Sequence, residues 1–369
     1  MTGLRLLPAQ QSTGAHEGEV LACAYSTDAG FVLTSGWDGR LRCWETRASL
    51  PLSVIETNGG PVPACAFSGD SRHWLTGSLD GLLTVWDPIT HVQIAQVLPH
   101  TRPVTAIATT ASGTNLATAS YDHKLVLYPK PECLTLQRPL LGHRDSVLGC
   151  CFSVDEATLL SWSTDGTVRL WDAAGAMELA ELEIGGDPVT CAALSSDGLW
   201  MVAGTEDGRV QLWDLDRLQV VQSRMLREPL VGCYFLQGTG AIAAIDGSGG
   251  LQLFLMPTME QIVELVTLEA VRSCACSPFG DQLVLGRRTG RPQLVAVEDT
   301  EPIAKVRPTA RERSMLSRIL GRQPRMNLTC PVCATTFASA QDGRGKTLPC
   351  PGCGQSLMVA QDSRSRAKA

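Results

Sequence analysis

The chain lacks the features of several protein classes. None of its apolar runs reaches the roughly eighteen residues that a membrane-spanning helix needs, and Met1–Gln10 does not combine a basic start with a long apolar stretch, as a secretory signal would. The nucleophile elbow, the phosphate-binding loop, the dinucleotide-binding fingerprint and H-E-x-x-H are also missing. The sequence therefore predicts a cytoplasmic protein that is not an enzyme and does not bind membranes.

Lysine is scarce in this chain, and the charges are unevenly distributed. The net charge is −6 over 369 residues. Residues 301–369 hold twelve Lys and Arg against four Asp and Glu, whereas the preceding 300 residues hold 19 against 33. The sequence thus predicts an acidic body with a basic C-terminal part, and this charge distribution bears on the choice of partners.

A unit of 41 to 43 residues repeats through most of the chain. The clearest copy contains Gly142-His143, an apolar run over 147–153, Asp165-Gly166 and a final Trp171-Asp172. The last aromatic residue of each copy, or the residue that replaces it, is found at Trp44, Trp86, Tyr128, Trp171, Trp213, Phe254 and Val295. Seven copies at a nearly constant period indicate a repeat architecture.

Each copy consists of short apolar runs separated by Gly, Asp, Asn and Ser, which is the punctuation of strands and turns. Four copies place Asp-Gly between two apolar runs, at Asp38-Gly39, Asp80-Gly81, Asp165-Gly166 and Asp207-Gly208. Asp and Gly tolerate the positive φ of tight hairpin turns. The pattern predicts an all-β fold over residues 1–306, a seven-bladed β-propeller with four-stranded blades.

These residues resemble the WD-repeat family over roughly residues 4–306. The resemblance implies that a His, an Asp, a Trp and a strand hydroxyl form a buried hydrogen-bonded network within each blade. The residues that match are His16, Asp38 and Trp44 in blade one, His100 and Asp122 in blade three, and His143, Asp165 and Trp171 with Ser161 or Ser163 in blade four. A catalytic group is needed once, whereas these residues recur in several blades, so we interpret them as structural.

The match to the family is uneven. Tyr128 replaces Trp in blade three, and Asn58 and Gly185 stand where blades two and five should have His. Blades six and seven have Ser248 and Thr289 at the Asp position, so these two blades are predicted mainly from their spacing. The strand that closes the ring is either Leu4–Leu7 or Ile303–Val306, with a slight preference for the N-terminal strand.

Ten of the fourteen cysteines lie in the predicted propeller. Five of them occupy equivalent places in different blades, namely Cys23, Cys65, Cys150, Cys233 and Cys274. Residues in different blades at one depth cannot all approach closely enough to form disulfides. We expect free, packed thiols in a reducing compartment.

The remaining four cysteines form two C-x₂-C pairs near the C-terminus, Cys330 with Cys333 and Cys350 with Cys353. The spacing C-x₂-C-x₁₆-C-x₂-C is typical of zinc sites, and the module resembles zinc ribbons. Sixteen intervening residues suffice for a hairpin that brings the second pair opposite the first. Four thiolates would leave Zn²⁺ no open position, so a structural role is predicted. A redox dithiol is the alternative, although the surrounding βαβ pattern is missing.

Three further segments complete the predicted organisation. Residues 307–326 form a basic linker, in which Thr309–Glu312 is a capping box for a short amphipathic helix with Met315, Leu316, Ile319 and Leu320 on one face. The zinc ribbon covers residues 327–360, and residues 361–369 are predicted to be a disordered tail.

The WD-repeat resemblance implies a scaffold that binds protein or peptide partners on its top face and central opening. Carried over from the family, the apolar positions of that face are Trp37, Leu79, Tyr121, Leu21, Pro63 and Leu148. Clustered exposed aromatic side chains are typical of binding hot spots, although some of these residues could merely fill the channel. The alternative function is nucleic-acid association through the basic C-terminal part. By itself the chain is expected to be monomeric.

Overall fold

The structure is a computed structural model. It describes residues 2–6, 15–46, 50–57, 60–129, 134–237, 239–266, 269–299, 326–329, 336–339, 347–349 and 356–358. The chain divides into two compact units, Met1–Arg307 and Pro308–Ala369. In the described part of the chain, no helix has the length and hydropathy needed to cross a lipid bilayer.

The first unit consists of seven four-stranded antiparallel sheets, which we call blades one to seven in chain order. Blade one contains β2 (Val20–Tyr25), β3 (Phe31–Gly36), β4 (Arg40–Glu45) and β5 (Pro51–Glu56). Blade two contains β6 (Ala64–Phe67), β7 (Trp74–Gly77), β8 (Leu83–Trp86) and β9 (Gln93–Val97). Blade three contains β10 (Val104–Thr109), β11 (Leu116–Ser120), β12 (Leu125–Tyr128) and β13 (Arg138–Leu140). Blades four and five contain β14 (Val147–Phe152), β15 (Thr158–Ser163), β16 (Thr167–Asp172) and β17 (Met177–Glu183), and then β18 (Val189–Leu194), β19 (Trp200–Thr205), β20 (Arg209–Asp214) and β21 (Gln219–Met225).

The last two blades are complete as well. Blade six contains β22 (Leu230–Leu236), β23 (Ala241–Asp246), β24 (Gly250–Leu255) and β25 (Glu260–Val266). Blade seven contains β26 (Val271–Cys276), β27 (Gln282–Arg287), β28 (Pro292–Asp299) and the N-terminal strand β1 (Thr2–Leu6). The predicted seven-bladed propeller with four-stranded blades is therefore confirmed, including the two blades predicted mainly from spacing.

The first strands of the seven blades form a closed ring. Each contacts the first strand of the next blade, from β2 through β6, β10, β14, β18, β22 and β26 back to β2. Hydrogen bonds between the two ends of the propeller sequence close the ring. Strand β1 pairs antiparallel with β28, from Thr2 opposite Asp299 to Leu6 opposite Val295. Of the two alternatives for closure, the propeller uses the N-terminal strand, which pairs with the edge of β28 and completes the fourth strand of blade seven.

The hydrophobic core lies between neighbouring blades. The repeated aromatic position falls in the third strand of every blade, and its side chain is buried in all seven, from Trp44 to Val295. Between blades one and two, for example, Leu41 and Ile55 pack with Cys65, Trp74 and Trp86. A blade buries both of its faces in this way, which explains why its inner strands are apolar runs rather than alternating sequences.

The second unit contains two antiparallel hairpins in its described residues. Strand β29 (Met326–Thr329) pairs with β30 (Thr336–Ser339), and β31 (Thr347–Pro349) pairs with β32 (Ser356–Met358). Each cysteine pair stands in sequence between two paired strands. This pairing differs from the expectation of one hairpin between the two cysteine pairs, because β30 and β31 belong to different sheets.

Several predictions fall outside the described residues. They concern the four cysteines of the zinc ribbon, the short helix with its capping box in 307–325, and the tail 361–369.

Candidate functional site

The top face is the end of the propeller that carries the turns between the second and third strands and the connections between blades. Two positions per blade lie there, which we call the turn position and the strand position. The turn position immediately precedes the tight turn, and the strand position is the residue after the buried apolar residue that stands at the start of the first strand or, in blade two, just before it. At the turn position stand Trp37, Leu79, Tyr121, Thr164, Glu206, Gly247 and Arg288, and at the strand position Leu21, Pro63, Thr105, Leu148, Thr190, Val231 and Arg272.

One backbone hydrogen bond brings the two positions of a blade together. The amide of the turn position donates to the carbonyl oxygen two residues before the strand position. Trp37 donates to Glu19 at 3.0 Å, and Tyr121 donates to Pro103 at 3.1 Å. The same bond occurs in blades four to seven. The backbone therefore presents both positions at the same end of the blade.

Three apolar side chains are exposed at consecutive turn positions. Trp37 is 59% exposed, Leu79 40% and Tyr121 39%. At the strand positions, Leu21, Pro63 and Leu148 are half-buried. Blades one to three thus present one exposed apolar side chain each, in succession round the top face.

Gly18 supports the exposed position of Trp37. Its φ of +113° lies in a region that L side chains rarely adopt, and a Cβ atom built on it would lie 3.2 Å from Cβ of Trp37. A larger residue at position 18 would be strained and would crowd the indole.

The His, Asp and Trp of blade one form a continuous hydrogen-bonded chain. The indole N–H of Trp44 donates to Thr34 Oγ1 at 2.8 Å, and this hydroxyl lies 2.9 Å from Nε2 of His16. Nδ1 of His16 lies 2.8 Å from Asp38 Oδ1. Because Trp can only donate, the hydroxyl of Thr34 can donate its own proton to Nε2, an arrangement in which His16 is neutral and carries its proton on Nδ1, towards Asp38.

The electrostatics of blade one agree with that assignment. Burial lowers the pKa of His16 below its ordinary value of 6.5. Burial acts to raise the pKa of Asp38, but hydrogen bonds from His16 and Arg42 outweigh it and hold that pKa well below its usual range. The Arg42 Nη1 to Asp38 Oδ2 distance is 2.8 Å. A neutral His facing an ionised Asp is the stable state of this network.

Blades three and four contain the same contacts of the histidine with a carboxylate and a strand hydroxyl, and blade four also contains the Trp donor. In blade four, Ser161 is the hydroxyl that joins the network. Its Oγ lies 2.9 Å from Trp171 Nε1 and 2.8 Å from His143 Nε2, and Nδ1 of His143 lies 2.9 Å from Asp165. Ser163 is used otherwise, since its hydroxyl bonds to the carbonyl oxygen of Asp145.

In blade three, His100 Nε2 lies 2.8 Å from Thr118 Oγ1, and His100 Nδ1 lies 3.1 Å from Asp122. Tyr128 occupies the Trp position and is fully buried.

Comparison with known protein families matches five segments of the chain to the WD domain, G-beta repeat family, at residues 9–45, 50–87, 92–128, 134–172 and 179–214. These segments run from blade one to the third strand of blade five and cover about half of the chain. The chain belongs to this family.

Curated relatives share only single stretches with the chain. It is 40% identical over 81 residues to "WD repeat, SAM and U-box domain-containing protein 1" of Danio rerio, which is 21% of this chain and 16% of that protein. It is 34% identical over 96 residues to striatin of Homo sapiens, 25% of this chain and 12% of that protein. It is 29% identical over 86 residues to apoptotic protease-activating factor 1 of Rattus norvegicus, 23% of this chain and 7% of that protein. The chain therefore spans only a small part of these relatives.

In the WD repeats that lack the His or the turn Asp, other side chains accept hydrogen bonds from the Trp indole N–H or from the backbone amides of the turn. In blade two, Trp86 donates to Thr76 at 2.8 Å, and in blade five Trp213 donates to the side-chain oxygen of Gln211 at 3.0 Å. In blade six the turn carboxylate is Asp246, two residues before Ser248, and it accepts bonds from the backbone amides of Ser248 and Gly250. Asp246 could not be predicted from the repeat, because it lies two residues before the position at which other blades carry their turn carboxylate.

Blade seven uses an ion pair in place of the turn carboxylate. Arg287 Nη1 lies 3.3 Å from Glu269 Oε2, which also accepts a hydrogen bond of 2.9 Å from the hydroxyl of Thr289. Glu269 precedes the first strand of blade seven. The turn of this blade is therefore held by a carboxylate that lies outside the turn.

The described cysteines of the WD-repeat unit are free thiols. All nine cysteines described there are unpaired, including the five at equivalent positions. Burial raises the pKa of Cys65 and Cys274 to about 12. Among the described residues, no cluster of three or more His, Cys, Asp or Glu side chains could hold a metal ion.

Proposed function

We propose that this WD-repeat chain is a non-enzymatic scaffold that binds partner proteins or peptides on the top face, with a zinc ribbon as a second contact module. The top-face patch consists of Trp37, Leu79, Tyr121, Leu21, Pro63 and Leu148. The exposure of Trp37 in blade one and Tyr121 in blade three, with Leu79 of blade two between them, carries the proposal, because the aromatic residues of the repeated third-strand position are buried while these two are exposed to solvent. Exposed aromatic side chains next to apolar ones provide most of the binding energy at many interfaces.

The bonding of the repeated His and Asp residues supports a non-enzymatic role. Both ring nitrogens of His16 are engaged, one by Asp38 and the other by Thr34, and the imidazole is buried. The same holds for His143 with Asp165 and Ser161. A general base must reach a substrate proton, and these rings face only their own blade. They stabilise the platform on which the patch lies.

The top-face site is complete within one copy of the chain, so partner binding requires no oligomer. The nine free cysteines support a reducing location such as the cytoplasm.

The second contact module would be held together by Zn²⁺ on Cys330, Cys333, Cys350 and Cys353. The backbone fits such a group because each C-x₂-C pair falls between two antiparallel strands, β29 with β30 and β31 with β32. A turn between paired strands is where a tight knuckle can present two sulfur atoms to one ion. Zn²⁺ with four thiolates has no open position, so it would stabilise the module and supply no catalysis.

The charge of the C-terminal part favours a second candidate function, association with nucleic acid. Residues 301–369 carry a balance of +8, whereas the rest of the chain is acidic. Binding of a labelled RNA or DNA by the full chain should then weaken steeply as salt rises, and should fall when the arginines of 307–325 are replaced by glutamine. Full-length protein that ignores both nucleic acids would exclude this function.

The decisive experiment for the scaffold is affinity capture from cells that express the chain. The double variant Trp37→Ala/Tyr121→Ala should lose the partners that the parent protein captures, because the aromatic anchors are removed. Phe279→Ala is the matched control, since Phe279 is an exposed aromatic residue, 57% exposed, at the opposite end of blade seven. Both variants should keep the thermal stability of the parent. Capture that is unchanged in the double variant would contradict the assignment of this patch.

A further inference from the structure

Blade seven differs from the other six blades at the top face. It has arginine at both the turn position and the strand position, Arg288 and Arg272, and none of the twelve equivalent residues in the other blades is basic. The two side chains are 59% and 52% exposed. Positive charge at these positions is thus confined to one blade.

The two arginines converge on one carboxylate. Arg272 Nε lies 3.6 Å from Glu19 Oε2, and Arg288 Nε lies 3.7 Å from Glu19 Oε1. Two guanidinium groups therefore face a single carboxylate, and the local charge balance is positive. Glu19 itself is 37% exposed, so the group is open to solvent.

Glu19 also places this charged group beside the aromatic patch. Its carbonyl oxygen accepts the hydrogen bond from the amide of Trp37 at 3.0 Å, and it stands two residues before Leu21. The basic pair of blade seven and the apolar pair of blade one are consequently neighbours at the same end of the propeller. This neighbourhood is absent from the sequence, where Arg272 and Trp37 are far apart.

The contacts with Glu19 leave most of the donor capacity of the arginines unused. A guanidinium has five N–H donors in a planar fork. Both described contacts run through Nε, at distances longer than the roughly 3.2 Å of a direct hydrogen bond. In the described part of the chain, no hydrogen bond engages the side chain of either arginine. Such forks bind carboxylates in two-point contacts, which are stronger than neutral hydrogen bonds.

We propose that the top face recognises acidic-apolar peptides, in which an Asp or Glu side chain stands within a few residues of a large apolar side chain. The carboxylate binds Arg272 and Arg288, and the apolar side chain packs on Trp37 and Leu21. This inference rests on the proposed function of the top face and adds the chemical class of its partner. Glu19 holds the two forks in place before the peptide arrives and competes weakly with its carboxylate.

The test is selection of peptides from a random library displayed on phage, with the full-length protein as bait. Peptides selected on the parent protein should be enriched in Asp and Glu close to Leu, Phe or Trp. Their affinity, measured on synthetic copies, should fall about tenfold or more in Arg272→Gln/Arg288→Gln. It should rise up to about fivefold in Glu19→Gln, because an exposed pair contributes little. Arg227→Gln, at an exposed arginine in another top-face connection, should leave the affinity unchanged.

The outcomes separate this inference from the proposed function. Selected peptides that lose binding in Trp37→Ala, yet carry no excess of acidic residues and bind Arg272→Gln/Arg288→Gln as tightly as the parent, would overturn the inference and leave the top-face site standing. Selected peptides that bind Trp37→Ala/Tyr121→Ala as well as the parent would overturn the top-face site itself, and the inference with it.

Discussion

The indole N–H of Trp171 donates a hydrogen bond of 2.9 Å to the hydroxyl of Ser161, on the neighbouring strand of blade four. Ser161 is fully buried, and the same hydroxyl lies 2.8 Å from His143 Nε2. One small side chain therefore satisfies two buried polar groups at once. Such a residue is more sensitive to substitution than its size suggests, since its loss leaves both partners unpaired.

We expect Ser161→Ala to lower the free energy of unfolding by about 1–3 kcal/mol, because a buried donor left without its acceptor costs about that much. Chemical denaturation monitored by tryptophan fluorescence measures the change. The matched control is Ser223→Ala on the exposed strand β21, which should stay within about 0.5 kcal/mol of the parent. Equal stability of the two variants would show that the network contributes nothing.

Stability should decrease as the pH falls from about 7 to about 5. Burial lowers the pKa of His16 and His100 below 6.5 in the folded protein, so the unfolded chain takes up protons in this range before the folded protein does. Proton uptake by the unfolded state favours unfolding. The lowered pKa values of Asp38 and Asp165 act only at more acidic pH, since their contribution persists above the ordinary value of 3.8.

The measurement is the free energy of unfolding at several pH values in the parent and in His16→Asn/His100→Asn. The variant should be less stable at neutral pH but should depend less on pH, because two of the groups that cause the dependence are gone. His91→Asn, at an exposed histidine, is the control and should keep the slope of the parent. A parent protein of constant stability over this range would contradict the prediction.

The thiols of the propeller should react very slowly while the protein is folded. Burial raises the pKa of Cys43, Cys65, Cys151 and Cys276 to about 12, so almost no thiolate is present near neutral pH. Alkylation by iodoacetamide at about pH 8, followed by peptide mass spectrometry, should leave these residues unmodified. The same treatment in denaturant should modify all four. Rapid modification of the folded protein would mean that the blades open readily.

Purified chain should contain one zinc ion per molecule if the two cysteine pairs bind metal together. Elemental analysis should find that the ion is lost in Cys330→Ser/Cys350→Ser, since two thiolates cannot complete a tetrahedral site. Cys276→Ser, in the propeller, should retain the metal. A metal-free parent protein in which Cys330 and Cys333 form a disulfide would favour the redox alternative instead.

Deletion of residues 1–6 should destabilise the ring and promote aggregation. Strand β1 covers the outer edge of β28, and without it that edge presents unpaired backbone groups. Light scattering after size-exclusion chromatography and a thermal melt measure both effects. Deletion of residues 361–369 is the control and should change neither. A truncated chain that melts with the parent and stays dispersed would show that closure depends on other contacts.

The repeat alone was sufficient to predict the propeller, because blade packing imposes the same apolar positions every 41 to 43 residues. The spacing locates a buried position even where the aromatic residue is missing. Val295 is not aromatic but lies buried at the third-strand position of blade seven. The carboxylates that fix the turns were harder to predict in the blades where they do not stand at the repeat position. Asp246 fixes the turn of blade six from two residues earlier, and Glu269 fixes that of blade seven from another segment. A carboxylate can reach the same atoms from several backbone positions, so its place cannot be read from spacing.

The sequence by itself determined the number of blades, the buried aromatic positions and the strand-turn-strand order of each blade, because these follow from local patterns that every copy repeats. Only the tertiary structure decided which strand closes the ring, that Ser161 rather than Ser163 joins Trp171 to His143, and that Arg272 and Arg288 meet at Glu19, whose carbonyl oxygen accepts the amide hydrogen bond of Trp37. These relationships join residues from different strands or from opposite ends of the propeller sequence. They arise when the ring closes and blade seven meets blade one, which no local pattern in the sequence encodes.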